Sequence, residues 1–302
     1  MSGFTETDVP DQSGKCFIVT GANTGIGFEA ARVLAARRAR VLLACRDKAK
    51  AEAAMARIRR LTQGADVVFL SLDQADLDSV RAAAELAAKE PRIDALVNNA
   101  GVMRPPLMRT KQGFELQFGV NHLGCFALSA LMLPTLAKTA GARVVVTASV
   151  AHRRGRIAWD DLNAEKSYDR SQRYADSKLA NMLFFFELDR RLRAAGSAVT
   201  AVGCHPGIAA TDLGRHMGPL QLLVPLVGMT LNTAAMGAWP TLQAATAAVS
   251  PGGYYGPIER GGKRGPSGPA WRTQQAQDRE LAQRLWDVSV AMTGIDPGLP
   301  PT

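Results

Sequence analysis

The chain has 302 residues, of which 47% are hydrophobic and 6% aromatic, and its formal net charge is +9. This length suits one large α/β domain or two small ones, and the apolar content is enough for an aliphatic core. No apolar run reaches the ~18 residues that a bilayer-spanning helix needs. The N-terminal residues also lack the basic and apolar regions of a secretory signal. We therefore expect a cytoplasmic protein without a transmembrane segment.

The basic residues are scattered along the chain and do not form a nucleic-acid-binding segment. Arg57–Arg60 and Arg190–Arg193 lie in helical patterns that also contain acidic residues, which is typical of solvated faces. The densest basic loop, Arg260–Arg264, has no interleaved aromatic residue that could stack on bases. We expect no nucleic-acid partner, and an anionic cofactor accounts for part of the positive charge.

The cysteines and histidines are spaced unlike the ligands of a metal site. The four cysteines form no CxxC pair, and three of them lie in or beside apolar strand-like runs. Such thiols are usually small buried side chains. The histidines form no i, i+4 pair on a helix. We expect no metal site.

Short apolar runs alternate with longer helical patterns, which indicates a parallel sheet covered by helices on both faces. The predicted strands are Cys16–Thr20, Arg40–Ala44, Val67–Leu72, Ile93–Val97, Arg143–Thr147, Val199–Gly203 and a seventh near Gly253–Tyr255. The predicted helices are Ile26–Arg38, Lys48–Thr62, Leu77–Lys89, Phe114–Leu136 and Gln172–Ala195. Right-handed crossovers then give a single doubly wound Rossmann domain over residues 1–302, with a parallel seven-stranded sheet in the order 3-2-1-4-5-6-7.

The C-terminal third departs from this alternation. Ile208–Asn232 is apolar but contains Pro219 and Pro225, so it cannot be one straight helix. Pro251–Ala270 is rich in glycine and proline and is predicted to be loop or turn. The apolar spacing of Gln275–Met292 predicts a final amphipathic helix.

A glycine-rich turn, Thr20–Gly27, follows the first predicted strand and opens the first helix. In this context Gly21 permits the tight turn, Gly25 lets the backbone approach a pyrophosphate, and Gly27 lets the helix pack on the strand. The free N–H groups at the helix N-terminus favour a negatively charged ligand. We therefore predict a dinucleotide site. The residues of the turn predicted to contact it are Gly21, Asn23, Thr24, Gly25, Ile26 and Gly27.

The residue after the second strand selects the type of dinucleotide. An acidic residue there binds the ribose 2′-hydroxyl of NAD, whereas an arginine accommodates the 2′-phosphate of NADP. Arg46 is the first residue beyond that strand, and the adjacent Asp47 is a competing signal. Because Asp47 also suits the N-cap of the next helix, we expect NADP(H) in preference to NAD(H).

Two later segments complete the predicted cofactor contacts. Asp73, just past the third strand, is a candidate partner of the adenine amino group. Asn99, Ala100 and Gly101 follow the fourth strand, beside the point where the strand order reverses and dinucleotides bind. An ordinary turn is the alternative interpretation of this segment, because asparagine and glycine are common turn residues.

Tyr174 and Lys178 are the candidate catalytic pair. They lie one helical turn apart, on the same face of the predicted helix. A tyrosine hydroxyl has a reference pKa of about 10, and a nearby positive charge favours its ionised form. Tyr174 is then able to give a proton to a carbonyl oxygen as hydride arrives, or to remove it in the reverse direction.

Ser149 and Asn121 are the other two candidate catalytic residues. Ser149 follows the fifth strand at the carboxyl edge, where its hydroxyl can bind the substrate oxygen. Asn121 falls inside a predicted helix, where asparagine is unfavourable, so it indicates a bend or a functional reason. A water near Asn121 would link Lys178 to solvent.

Taken in order, these motifs resemble those of the short-chain dehydrogenases/reductases over almost the whole chain. The resemblance implies hydride transfer at the nicotinamide and assigns Pro206, Gly207 and Thr211 to contacts with its carboxamide. It also implies a homodimer or homotetramer formed through the helices after strands four and five. Further segments resemble the retinol-dehydrogenase-like and WW-domain oxidoreductase group, which mostly uses NADP: Ala44–Asp47, Gly119–Gly124, Ser177–Asn181 and Arg284–Ser289.

The expected reaction is the NADP(H)-dependent interconversion of a hydrophobic aldehyde or ketone and its alcohol. The apolar segment 208–232 is predicted to be a lid over this substrate, with a subunit interface, a membrane surface or plain core as alternatives. The membrane-bound retinol enzymes carry an N-terminal hydrophobic anchor that this sequence does not show, so a retinoid is not assigned. An NAD-dependent sugar or polyol dehydrogenase and a non-catalytic NADP-sensing protein are the alternative functions.

Overall fold

The computed structural model describes residues 3–208 and 232–301. In this part of the chain one sheet is formed by β1 (Cys16–Thr20), β2 (Arg40–Cys45), β3 (Val67–Ser71), β4 (Ala95–Asn98), β5 (Arg143–Thr147), β6 (Thr200–Cys204), β7 (Tyr254–Glu259) and β8 (Arg264–Pro269). The strands lie in the order β3-β2-β1-β4-β5-β6-β7-β8. All neighbouring pairs are parallel except β7 and β8. The predicted doubly wound fold is confirmed, with an eighth, antiparallel strand added at one edge.

The glycine- and proline-rich segment Pro251–Ala270 forms a β-hairpin, so its prediction as loop or turn is wrong. Pro257 lies in β7 and Pro269 ends β8. Proline lacks the N–H donor of a ladder and is tolerated in strands at a sheet edge. On its outer side β8 makes one bridge, between Phe4 and Ser267, within the described residues. The edge position of this hairpin, which a local pattern does not reveal, explains the difference.

Helices cover both faces of the sheet, as predicted. They are α1 (Gly25–Ala36), α2 (Lys48–Leu61), α3 (Leu77–Ala87), α4 (Leu116–Phe118), α5 (Gly124–Leu136), α6 (Arg170–Ala194), α7 (Ala234–Thr246) and α8 (Arg279–Thr293). One core cluster joins Ile18 of β1 to α3, α5, α6 and α8, and the other joins Phe17 and Val19 to α1, α2 and α7. Burial on both faces explains why the strands read as continuous apolar runs.

The predicted helix Phe114–Leu136 is interrupted by a π-helical turn, Gly119–Leu123, between α4 and α5. Asn121 lies in this turn. Its side-chain amide accepts a hydrogen bond from the N–H of Val102 and donates one to the carbonyl oxygen of Val102. The unfavourable asparagine therefore marks a real change of helix geometry. π-Helical turns of this kind occur frequently at functional sites.

Helix α8 closes the outer face of α5 and α6. The Trp286 ring meets Phe126 edge-on, with centroids 5.3 Å apart, and lies 6.2 Å from the Phe184 ring.

The segment Leu116–Leu136, which contains α5, is long and apolar enough for a membrane span. Within the protein, however, 89% of its most apolar window is buried, the burial of a core helix. In the described residues, α5 and α6 thus keep no exposed large apolar side chain for the oligomer contact implied by the resemblance.

The predicted lid at 208–232 lies outside the described residues except for its two ends. Asn232 donates its backbone N–H to the carbonyl oxygen of Ile208 at 3.0 Å. Asn232 is also fully buried, and its side-chain amide donates to the carbonyl of Pro206. The two attachment points therefore meet just beyond β6, at the carboxyl edge where ligands bind in this architecture.

Candidate active site

The turn between β1 and α1 has the backbone geometry that its glycines predict. Gly21 and Gly25 have φ angles of +67° and +58°, in the left-handed region that glycine adopts without strain. A Cβ atom on Gly27 would lie 2.5 Å from Asn99 Nδ2 and 2.6 Å from the Gly21 carbonyl oxygen. Only glycine therefore lets the start of α1 approach the ends of β1 and β4 this closely.

Thr20 ties the ends of β1 and β4 together. Its hydroxyl oxygen accepts hydrogen bonds from the backbone N–H groups of Asn99 and Ala100, at 3.0 and 2.9 Å. The Asn99 side-chain amide donates to the Thr20 carbonyl oxygen at 2.9 Å. The segment Asn98–Gly101 is thus a fixed edge of the glycine turn, which agrees with its predicted place beside the switch point.

These segments line a cleft of about 1020 Å³ at the carboxyl end of the sheet. The predicted cofactor contacts in its wall are Gly21, Asn23, Thr24, Gly25, Ile26, Gly27, Arg46, Asp73, Asn99, Ala100 and Gly101. Single-ligand pockets usually span ~300–1000 Å³, so the cleft is large enough for an extended ligand such as a dinucleotide.

The ribose end of the cleft is basic. Arg46 is exposed in its wall, and Lys50 and Arg57 of α2, which the sequence analysis did not select, line it as well. The Asp47 carboxylate accepts the Lys50 backbone N–H, which lowers the pKa of Asp47, and it also forms an ion pair with the Lys50 side chain at 3.0 Å. Asp47 is therefore engaged as the N-cap of α2. Lys50 and Arg57 are seven residues, or two helical turns, apart on α2. This spacing in the sequence could have indicated that both side chains lie on the same face as the cleft.

Asp73 and Gln74 line the cleft just beyond the end of β3. The Asp73 carboxylate accepts the Ala75 N–H at 2.9 Å. Gln74 is 6% exposed, and neither its Oε1 nor its Nε2 atom has a hydrogen-bond partner in the described residues. Buried amide groups are nearly always paired, so Gln74 is unusual among the residues of this wall.

Lys178 is held beside Tyr174 by the end of β5. Its ammonium Nζ donates to the carbonyl oxygen of Thr147 at 2.9 Å and lies 5.9 Å from the centre of the Tyr174 ring. A Cβ on Gly101 would lie 3.6 Å from this Nζ and 3.0 Å from Asn121 Oδ1. Gly101 lines the cleft, Asn121 and Lys178 lie next to it, and Tyr174 lies next to Lys178.

Asn121 connects this end of the cleft to α6. Its Oδ1 accepts the Val102 N–H at 2.7 Å, and its Nδ2 donates to the Val102 carbonyl and to Ser177 Oγ, each at 2.9 Å. The Ser177 hydroxyl donates in turn to the carbonyl of Tyr174. Asn121 therefore fixes the chain after Gly101 against the turn of α6 that carries Tyr174.

Ser149 caps a 3-10 turn, Val150–Arg154, that packs against α6. The Ser149 Oγ accepts the Ala151 N–H at 3.2 Å, so its own hydroxyl proton remains available to a ligand. The carbonyl of Ser149 lies 2.6 Å from Nδ1 of His152, whose pKa burial lowers. A Cβ on Gly155 would lie 2.6 Å from the Ala175 carbonyl, so this turn sits tightly on α6. His152 was not selected from the sequence.

Pro206 and Gly207 follow β6 on the same side of the sheet. Gly207 has a φ angle of +76°, and its N–H donates to Nδ1 of His205 at 3.2 Å. A Cβ on Gly237 of α7 would lie 3.1 Å from Ile26 and 3.5 Å from Pro206, so this segment adjoins the glycine turn. The predicted contact Thr211 lies outside the described residues.

The fold, the glycine turn and the Tyr174–Lys178 pair together define a class, the nicotinamide-dependent oxidoreductases. A family model described as short chain dehydrogenase matches residues 15–222. The chain therefore belongs to the short-chain dehydrogenase family, as its motifs predict.

Among curated proteins, the chain is similar to retinol dehydrogenases, which confirms the predicted group. It is 44% identical to human retinol dehydrogenase 12 over 286 residues, covering 93% of this chain and 87% of that protein. It is 42% identical to human retinol dehydrogenase 13 over 297 residues, covering 94% and 86%.

Solved structures share the fold. The crystal structure of an uncharacterized protein from Mycobacterium paratuberculosis is 39% identical, with a TM-score of 0.81 over 98% of this chain and 99% of that one. A short chain dehydrogenase from Escherichia coli CFT073 complexed with NADPH is 23% identical, with a TM-score of 0.61 over 78% and 91%. At that identity the second likeness concerns the fold alone.

Proposed function

We propose that the protein interconverts an apolar aldehyde or ketone and its alcohol, using NADP(H), with Tyr174 as the general acid or base. The observation that carries this proposal is that Asn121, Lys178 and Tyr174 lie together beside Gly101, which lines the cleft. A bound nicotinamide supplies or accepts the hydride. The proton and the orientation of the substrate are then the work of the chain's own residues.

Ser149 and Tyr174 are suited to act on the substrate oxygen together. The Ser149 hydroxyl already accepts one N–H, so it donates its proton to that oxygen and stabilises charge developing there. In reduction Tyr174 gives its proton to the same oxygen, and in oxidation it takes the proton back. The Lys178 ammonium, fixed by Thr147, favours the phenolate form through its positive charge.

NADP(H) is favoured over NAD(H) by the charges at the ribose end of the cleft. Arg46, Lys50 and Arg57 supply three basic side chains, and Arg46 is able to bind a 2′-phosphate in a bidentate manner. Asp47 is already bound to Lys50 and is a poor acceptor for a ribose hydroxyl.

The substrate proposal rests on the similarity to the retinol dehydrogenases and on the apolar sequence of segment 208–232. Retinoids are therefore one class to test among apolar carbonyl compounds and alcohols. A cytoplasmic location and a homo-oligomer complete the proposal.

The test is absorbance at 340 nm with NADPH and, separately, NADH, over a panel of retinoids, other apolar aldehydes and ketones, and sugars. NADPH consumption confined to apolar carbonyls, and abolished by Tyr174→Phe with NADPH binding retained, supports the proposal. NADH-dependent turnover of sugars would instead support a polyol dehydrogenase. NADPH binding without any turnover would support a cofactor-sensing protein.

A further inference from the structure

Gln117 joins the segment after β4 to the start of α6, four residues before Tyr174. It is fully buried, and its Oε1 accepts the backbone N–H of Arg104 at 2.9 Å. Its Nε2 donates to the carbonyl of Arg170 at 3.0 Å and to the Tyr168 hydroxyl at 3.2 Å. One buried side chain therefore holds the backbones of Arg104 and Arg170 close to each other.

The backbone at Arg104 is held in an uncommon conformation. Its φ angle is +53°, in the left-handed region that arginine rarely adopts. The Tyr168 hydroxyl donates to the carbonyl of the next residue, Pro105, at 2.8 Å and so adds a second tie. Strained backbone of this kind persists only where the surroundings enforce it, and it is concentrated at binding sites.

Both guanidinium groups are exposed, and neither forms an ion pair within the described residues. The charges of both arginines act on Asp169, the N-cap of α6, which accepts the N–H groups of Ser171 and Gln172. These two hydrogen bonds, followed by the charges of Arg170 and Arg104, lower the pKa of Asp169. The two arginines therefore share one neighbourhood, in which the acid is already committed to the helix.

The position of this pair relative to the chemistry follows from the chain. Arg170 precedes Tyr174 by four residues on α6, so it lies on the same face and roughly 6 Å away along the axis. Arg104 lies three residues after Gly101, which contacts Asn121 and Lys178. The two arginines therefore lie on the N-terminal side of α6, one helical turn before Tyr174.

We infer that Arg104 and Arg170 bind an acidic group at the far end of the substrate, so that the preferred substrate is an apolar carbonyl compound bearing a carboxylate or phosphate. This inference rests on the proposed function of the same site. Gln117 fixes the two backbone segments from which both arginine side chains extend, so less backbone entropy is lost on binding. The apolar body of the substrate lies between the acidic group and the carbonyl.

The first experiment compares a medium-chain ω-oxo carboxylic acid with its methyl ester, using NADPH. The wild-type enzyme should turn over the acid with a kcat/KM at least about tenfold higher, the factor expected of a charge-assisted hydrogen bond. In Arg104→Gln and Arg170→Gln this ratio should fall towards one. Arg60→Gln, which removes an exposed charge elsewhere on α2, should keep the wild-type ratio. Equal turnover of acid and ester by the wild-type enzyme overturns the inference and leaves the proposed function standing.

A second measurement does not depend on turnover. A medium-chain alkyl carboxylate without a carbonyl is titrated calorimetrically into the NADPH-bound protein. Binding that weakens about tenfold in Arg104→Gln and Arg170→Gln, and not in Arg60→Gln, supports the acid site even if no aldehyde is reduced. Absence of binding, or equal binding by all four proteins, overturns it.

Discussion

Lys178 and Asn181 donate hydrogen bonds to the same acceptor, the carbonyl oxygen of Thr147, at 2.9 and 3.2 Å. Both side chains are almost completely buried, and they stand three residues apart on α6. Thr147 ends β5 two residues before Ser149. The direction of the Lys178 ammonium is therefore set by the strand that delivers Ser149, with Asn181 holding the shared carbonyl from the other side.

Asn181→Ala should reduce kcat about tenfold while leaving the dissociation constant of NADPH within about twofold, because misplacement of a catalytic charge affects the chemical step most. The comparison variant is Thr139→Val, which removes a different buried side-chain partner, that of the Ile93 N–H. Both variants should lose about 1–3 kcal/mol of unfolding free energy. A similar loss of kcat in both would contradict a positioning role for Asn181.

Arg46→Ala should weaken NADPH binding by about 1.5–3 kcal/mol, the contribution of a charge-assisted hydrogen bond, and leave NADH binding nearly unchanged. The physical reason is that the cofactors differ only in the 2′-phosphate that Arg46 is proposed to bind. Calorimetric titration with both cofactors measures this directly. Lys50→Ala should have a mixed effect, since it also frees the Asp47 carboxylate from its ion pair. An unchanged NADPH affinity in Arg46→Ala would remove the main support for NADP(H).

The sequence predicted the elements whose signal is local and failed where the outcome depends on position in the fold. β1 has the predicted bounds, because its apolar run ends directly at the glycine turn. β8 was missed because glycine and proline suit an edge strand as well as a loop, and only the neighbouring strands distinguish the two. Gln74 and His152 have no motif of their own. Gln74 is distinguished by two buried amide atoms without partners in the described residues, and His152 by its burial against the distant Tyr254 ring.

Gly27→Ala should abolish cofactor binding and destabilise the fold, because the added Cβ would meet Asn99 Nδ2 at 2.5 Å and backbone oxygen at 2.6 Å. Gly141→Ala is the matched control. Its φ angle is +72° but no atom lies within 4 Å of the new Cβ, so it carries backbone strain alone, about 1 kcal/mol. Thermal unfolding and NADPH titration of both variants separate crowding at the site from strain. Normal NADPH binding by Gly27→Ala would show that the turn can move apart.

His122 should make stability depend on pH. Burial lowers its pKa to about 3 in the folded protein, against an ordinary value of 6.5. Since its folded pKa is the lower one, the stabilisation is complete above pH 6.5 and is lost as the pH falls towards 3. Between about pH 7 and 5, His122 should cost the wild-type protein about 2 kcal/mol of unfolding free energy. The His122→Gln variant should not show this part of the loss. Urea unfolding at both pH values measures this difference. The slope due to His205, whose pKa burial also lowers to about 3, should remain.

Trp286→Ala should destabilise the protein by about 3–5 kcal/mol, the usual effect of removing a buried aromatic side chain. Trp286 is 4% exposed, packs edge-on against Phe126, and has the Arg191 guanidinium 4.5 Å from its ring centre. Its loss would open the face of α5 and α6 that α8 now covers, so self-association should increase, as measured by light scattering. Trp271→Ala removes the same side chain from a site that is 63% exposed and should change stability by less than about 1 kcal/mol. Equal destabilisation by the two variants would mean that α8 contributes no more to the core than a surface contact does.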